Sequence, residues 1–121
     1  MSSNPDYEAS TLSVATVRAT LDDTEEKAIA EATIQRAIGA AEAYVATLDI
    51  DPNVDTETIE EAKIALAAFK TFASVPTETQ KEALGVSKRV DVESRQAALK
   101  EQSDKALDAI TRDFFSHTLS Q

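Results

Sequence analysis

The stretch AEATIQRAIGAAEAYVATL, residues 30–48, decides the fold class. Ile34, Ile38, Ala41, Val45 and Leu48 are spaced alternately four and three apart, which places all five on one face of an α-helix. Ala30, Ala37 and Ala40 leave flanks on which another backbone can come close. The stretch has one glycine and no proline, histidine or cysteine, so it is built for packing rather than chemistry.

Working outward, DDTEE precedes this helix. Asp23 followed by Glu26 has capping-box spacing, and the acidic cluster suits the positive end of a helix dipole. A helix over about 24–48 is therefore expected, roughly 36 Å long. Upstream, Ser13 is placed to cap a short helix carrying Val14, Val17 and Leu21 on one stripe. Residues 1–11 are polar, contain Asn4-Pro5 and read as a flexible N-terminal arm.

Downstream, Pro52 in LDIDPNVD stops the long helix, and Asp51 before it is pushed to an extended conformation. A third helix is expected from near Asp55 to about Ala73. Ile59, Ala62, Leu66, Phe69 and Ala73 form one stripe, and Ile64, Ala68 and Phe72 form a neighbouring one. With more than half its circumference apolar, such a helix is either central in its own domain or buried by a partner chain. VPTETQKEALG reads as a short helical turn, with Thr77 and Gln80 as a capping box and Gly85 as its left-handed terminator.

Val86, Val90 and Val92 surround Lys88 and Arg89 in a segment that reads as extended or as a loop. Helical signals return over 91–115, with Asp91/Arg95, Lys100/Asp104, Glu101/Lys105 and Asp108/Arg112 at i,i+4. The apolar seam there is thin: Leu99, Ala106 or Leu107, Ile110 and Phe114. It describes a mostly solvated arm lying on a neighbour. The expected fold is all-α: a small bundle of two long core helices and a short N-terminal helix. Its core spans residues 12–85, and residues 86–121 form a connecting segment and an extended C-terminal helical arm.

Bulk composition bounds function. The 121 residues suffice for one domain, and the interior must be built from aliphatics and four Phe, since Trp is absent. Acidic residues outnumber basic ones 22 to 12, giving a net charge of -10. Such a surface repels nucleic-acid phosphate and anionic lipid. Good solubility accounts for the charge, and so does adaptation to molar salt; 13 Thr, 21 Ala and seven Lys fit the second. No apolar run approaches a membrane span and no signal-peptide pattern opens the chain, so a soluble, unexported protein is expected.

Candidate chemistry is sparse. His117 is the sole histidine and reads as a solvated tail residue. Asp22/Asp23 and Glu60/Glu61 are adjacent pairs whose side chains diverge, and dipole compensation at helix starts explains them. Two glycines 46 residues apart cannot form a phosphate loop. The acids of DIDPNVDTETIEE lack the glycine and spacing of a calcium loop. No catalytic residue, metal ligand or cofactor is expected. Lys88 and Arg89 are the one local cationic spot, and Phe114 and Phe115 cannot both face one narrow seam.

The order of elements in LSVATVRATLDD, IQRAIGAAEAYV and IEEAKIALAAFKTFASVP, covering about residues 12–76, resembles the head-tail connector (adaptor) family of tailed viruses. That resemblance implies a structural virion protein at the head-tail interface, and the composition makes a halophilic archaeon a fitting host. It implies a homo-oligomeric ring, commonly dodecameric, that docks on the portal protein, meets the next tail-side protein and extends the channel through which DNA slides. Similar proteins grip the portal with a C-terminal extension, which assigns portal or neighbour contact to Lys88, Arg89, Leu107, Ile110, Phe114, Phe115 and Leu119. The alternative reading is a stand-alone helical protein-protein interaction module or small regulator.

Overall fold

The computed structural model describes residues 12–23, 27–84 and 91–111. These form five helices: α1 (Val14–Leu21), α2 (Glu31–Ala46), α3 (Thr56–Ser74), α4 (Thr77–Leu84) and α5 (Val92–Ile110). Among the described residues the only β-type pairing is an isolated bridge between Ile50 and Thr111. The fold is all-α.

Helix α1 begins as the sequence predicts, with Ser13 Oγ accepting from the Thr16 amide at 3.2 Å. Val17 and Leu21 are buried and Val14 is half-buried. The helix ends at Asp22, which takes the left-handed conformation (φ 64, ψ 36). The Asp22 and Asp23 amides donate to the Ala19 and Arg18 carbonyls, the paired closure of a Schellman end.

Helix α2 is shorter than expected, at 16 residues or about 24 Å. The expected capping box does not form: the helix starts after Ala30, which makes no side-chain cap, and Asp23 is used elsewhere. Its core face is the expected stripe, with Ile34, Ile38, Ala41 and Val45 buried and Ala37 joining them. The turn after it is organised by Asp51, whose Oδ1 accepts from the Asn53 amide at 2.9 Å and whose carbonyl accepts from Val54.

Helix α3 is the centre of the molecule. Asp55 caps it, accepting from the Thr58 amide at 2.9 Å. It ends where Val75, preceding Pro76, becomes extended. Ala62 and Leu66, Ala67 and Thr71, and Ala65, Ala68 and Phe72 are all buried. At about 100° per residue these positions run right round the helix. Helices α1, α2 and α5 cover them, and the contact with α5 is the most extensive. The broad apolar circumference therefore marks a helix central in its own chain.

Two expectations about the second half are corrected. Gln80 is no capping-box residue: it is buried, and its Nε2 donates to the Phe72 carbonyl at 2.7 Å and to Gln96 Oε1 at 3.2 Å, tying α3 to α4 and α5. Helix α5 is no outlying arm over its described length. Leu99, Ser103 and Ile110 are buried, with Ala106 and Leu107 packed against the core. Its seam looks thin because Ser103 interrupts it, and it suffices because α3 supplies a wide apolar face. The helix ends at Ile110 rather than near 115, with Thr111 extended and the Ile110 carbonyl accepting from Asp51 at 2.8 Å.

Of the expected i,i+4 pairs, Lys100–Asp104 (2.9 Å) and Lys105–Glu101 (3.4 Å) form on the exposed side. Asp91 instead caps α5, accepting from the Ser94 amide at 2.7 Å, while Arg95 donates to the Thr20 carbonyl at 2.9 Å. Arg112 and Gly85 lie outside the described residues.

Because α5 completes the core, Leu99→Ala is expected to lower unfolding free energy by about 2–5 kcal/mol, read as a lower urea midpoint. A solvated arm would tolerate the change. The two aspartate caps give a second expectation. The Thr58 hydroxyl and amide hold the Asp55 carboxyl below its ordinary value of 3.8, and the Ser94 amide and hydroxyl do the same for Asp91. A depressed folded pKa contributes stability that is present above the ordinary value and lost as pH falls through the folded one. The Asp55→Asn/Asp91→Asn chain should therefore lose less thermal stability than wild type on acidification below about pH 4, checked by melting curves across that range.

Candidate functional surface

The position of α2 is fixed at its start by a buried polar fastener. Asp23 Oδ1 accepts from the Ala28 amide at 2.9 Å, and Oδ2 accepts from the Ile29 amide and from Arg18 at 3.1 Å each. The Asp23 side chain is fully enclosed and that of Arg18 is 11% exposed. One carboxylate thus satisfies two loop amides and one guanidinium, and holds the segment between α1 and α2 against the bundle. The sequence signal was Arg18 five residues before Asp23 at a helix end, which spacing alone cannot tell from a cap.

Fixed in this way, α2 turns an unusual face outward. Ala32, Gly39, Ala40, Ala43 and Ala46 are all exposed, with Arg36 among them. On one flank, Thr33, Arg36, Ala37 and Ala40 of α2 face Phe69, Lys70, Ala73 and Ser74 of α3 across an open groove of about 430 Å³. Tyr44, 47% exposed, extends the same stripe. On the other flank, Gln35, Ile38, Gly39 and Glu42 border Leu12, Ser13 and Val14 in a second groove of about 510 Å³. The side chains of Arg36 and Lys70, like those of Lys27 and Lys81, form no ion pair or hydrogen bond with another described residue, whereas Arg18, Lys63, Lys100 and Lys105 each have an acidic partner.

The expected contact residues are not brought together here. Ile110 is fully buried inside its own chain and is unavailable to a portal or neighbour, because its side chain closes the α5 seam on α3. Leu107 is half-buried and packed against the core. Lys88, Arg89, Phe114, Phe115 and Leu119, like His117, lie outside the described residues. The acidic pairs serve structure: Asp22 ends α1, Asp23 fastens the loop, and Glu60 pairs with Lys63 at 3.4 Å. Among the described residues no group of three or more His, Cys, Asp or Glu is placed to hold a metal, and no helix is long and apolar enough to cross a membrane.

No family model, curated protein or solved structure matches the chain.

Removing the Asp23 carboxylate would leave a nearly buried guanidinium and two amides unpaired. Asp23→Ala is expected to cost about 3–5 kcal/mol, measured by chemical denaturation.

Proposed function

We propose that this chain is a structural, non-enzymatic subunit that packs against copies of itself in a ring of the head-tail connector kind, between portal and tail of a tailed virus. The observation that carries the reading is the outward face of α2. A helix that exposes Ala32, Gly39, Ala40, Ala43 and Ala46 is smooth enough for another helix to lie close against it. The order of short capped helix, long alanine-rich helix, proline turn and apolar helix supports it, as does the net charge of -10, which lets DNA slide through a passage without sticking. The buried faces of α3 lend no support, since α1, α2 and α5 take them up.

In this reading the chain stays soluble in the host cytoplasm until it joins the virion neck. There it meets the portal on one side and the next tail protein on the other, and its acidity serves the channel, a halophilic host, or both. The enclosure of α3 favours a second reading, a stand-alone helical interaction module that folds and works as a monomer.

Mass measurement by light scattering separates the two. The connector reading expects either a ring-sized species or a complex with an added portal ring, at low or high salt. A compact monomer that ignores the portal in both conditions supports the stand-alone module. Deletion of residues 112–121 should weaken portal docking; unchanged docking would remove Phe114, Phe115 and Leu119 from the contact.

A further inference from the structure

Gly39 lies inside α2 and is exposed, and among the described residues a Cβ built there would meet nothing within 4 Å. Glycine in a helix interior is unfavourable relative to alanine, and none of the described residues packs into the space left by the missing side chain. The close approach of a second chain would use it. Gly39 sits on a continuous edge with Glu31, Gln35 and Glu42, at spacings of four, four and three. Glu31 and Glu42 make this edge acidic.

The opposite flank of α2, about 160° away at 100° per residue, is the groove with Arg36 and Lys70 beside an apolar floor of Ala37, Ala40, Phe69 and Ala73. Arg36 and Lys70 have no ionic partner among the described residues, and two cations side by side at one groove in a chain of net charge -10 suit an acidic occupant. A two-fold pairing of the groove with itself would set these cations against each other. A second copy offering its Gly39 edge instead brings Glu31 and Glu42 towards Arg36 and Lys70, and lets the glycine admit the groove wall closely.

We infer that the α2/α3 groove of one copy docks the Glu31–Gly39–Glu42 edge of the next, in a heterologous, head-to-tail contact. This rests on the ring reading above and assigns its subunit interface. Because each copy carries both surfaces, the contact repeats and closes if the rotation allows.

Light scattering and cross-linking of the full chain at low ionic strength, over a concentration series, test it. Arg36→Glu/Lys70→Glu and Glu31→Lys/Glu42→Lys should each weaken self-association by about a hundredfold, with unchanged helical circular dichroism. An equimolar mixture of the two should restore assembly, since each reversed groove then meets a reversed edge. Gly39→Ala should raise the melting temperature of the monomer while weakening association roughly tenfold. Wild-type assembly that ignores these changes overturns the assigned interface and leaves the ring reading standing. A wild-type chain that stays monomeric at every concentration, alone and with an added portal ring, overturns both.

Discussion

The structure depends on how closely three helices can approach α3. Interaxial distance is set by the side chains at the contact, and α3 presents Ala62, Ala65, Ala67 and Ala68 to its neighbours, all buried. None of these contributes much transfer free energy alone. Their value lies in bringing backbones near enough for the larger side chains, Leu66 and Phe72 of α3 with Ile34, Val17 and Leu99 opposite, to share one core. A protein without tryptophan and with few aromatics can fill an interior in this way because the space to be filled is narrow.

Helix ends leave backbone groups with no partner within the helix. Much of this demand is met by groups from elsewhere in the chain. The Thr20 carbonyl at the end of α1 accepts from Arg95 of α5, the Phe72 carbonyl near the end of α3 accepts from Gln80, and the Ile110 carbonyl accepts from Asp51. Asp23 takes the amides ahead of α2. Each fastener joins segments that the apolar core also joins, so α5 is held at its start by Arg95, along its length by Leu99 and Ile110, and at its end by Asp51.

Much of this was legible in the sequence, for specific reasons. Ser13 and Asp55 announce helix starts because a short polar side chain before an apolar periodic run has few other uses, and the stripe Ile34, Ile38, Ala41, Val45 can only be one helix face. What stayed hidden depends on residues far apart. Asp23 and Gln80 occupy capping-box spacings, and only their burial shows that both serve other partners. The seam of α5 read as an arm because Ser103 breaks it, and its burial rests on the breadth of the α3 face. Arg36 and Lys70 share a groove that exists only once α2 lies on α3, so no local pattern pairs them.

The outward face of α2 is what the fold alone leaves unexplained. An exposed helix face in a solvated protein ordinarily carries charge, and α5 shows it with Glu101, Asp104, Lys105 and Asp108 facing water beside exposed Ala97, Ala98 and Ala109. On α2 the exposed charges Glu31 and Arg36 flank a run of small residues. High helix propensity would account for exposed alanines at 32, 40, 43 and 46 taken singly, since alanine is the best helix former. It cannot account for Gly39, which weakens the same helix where an alanine Cβ would have open space. Core packing among the described residues, solubility and propensity therefore all fail to select glycine at that position, whereas the close approach of a second backbone, as in the inferred contact, would select it and the neighbouring alanines for the same reason.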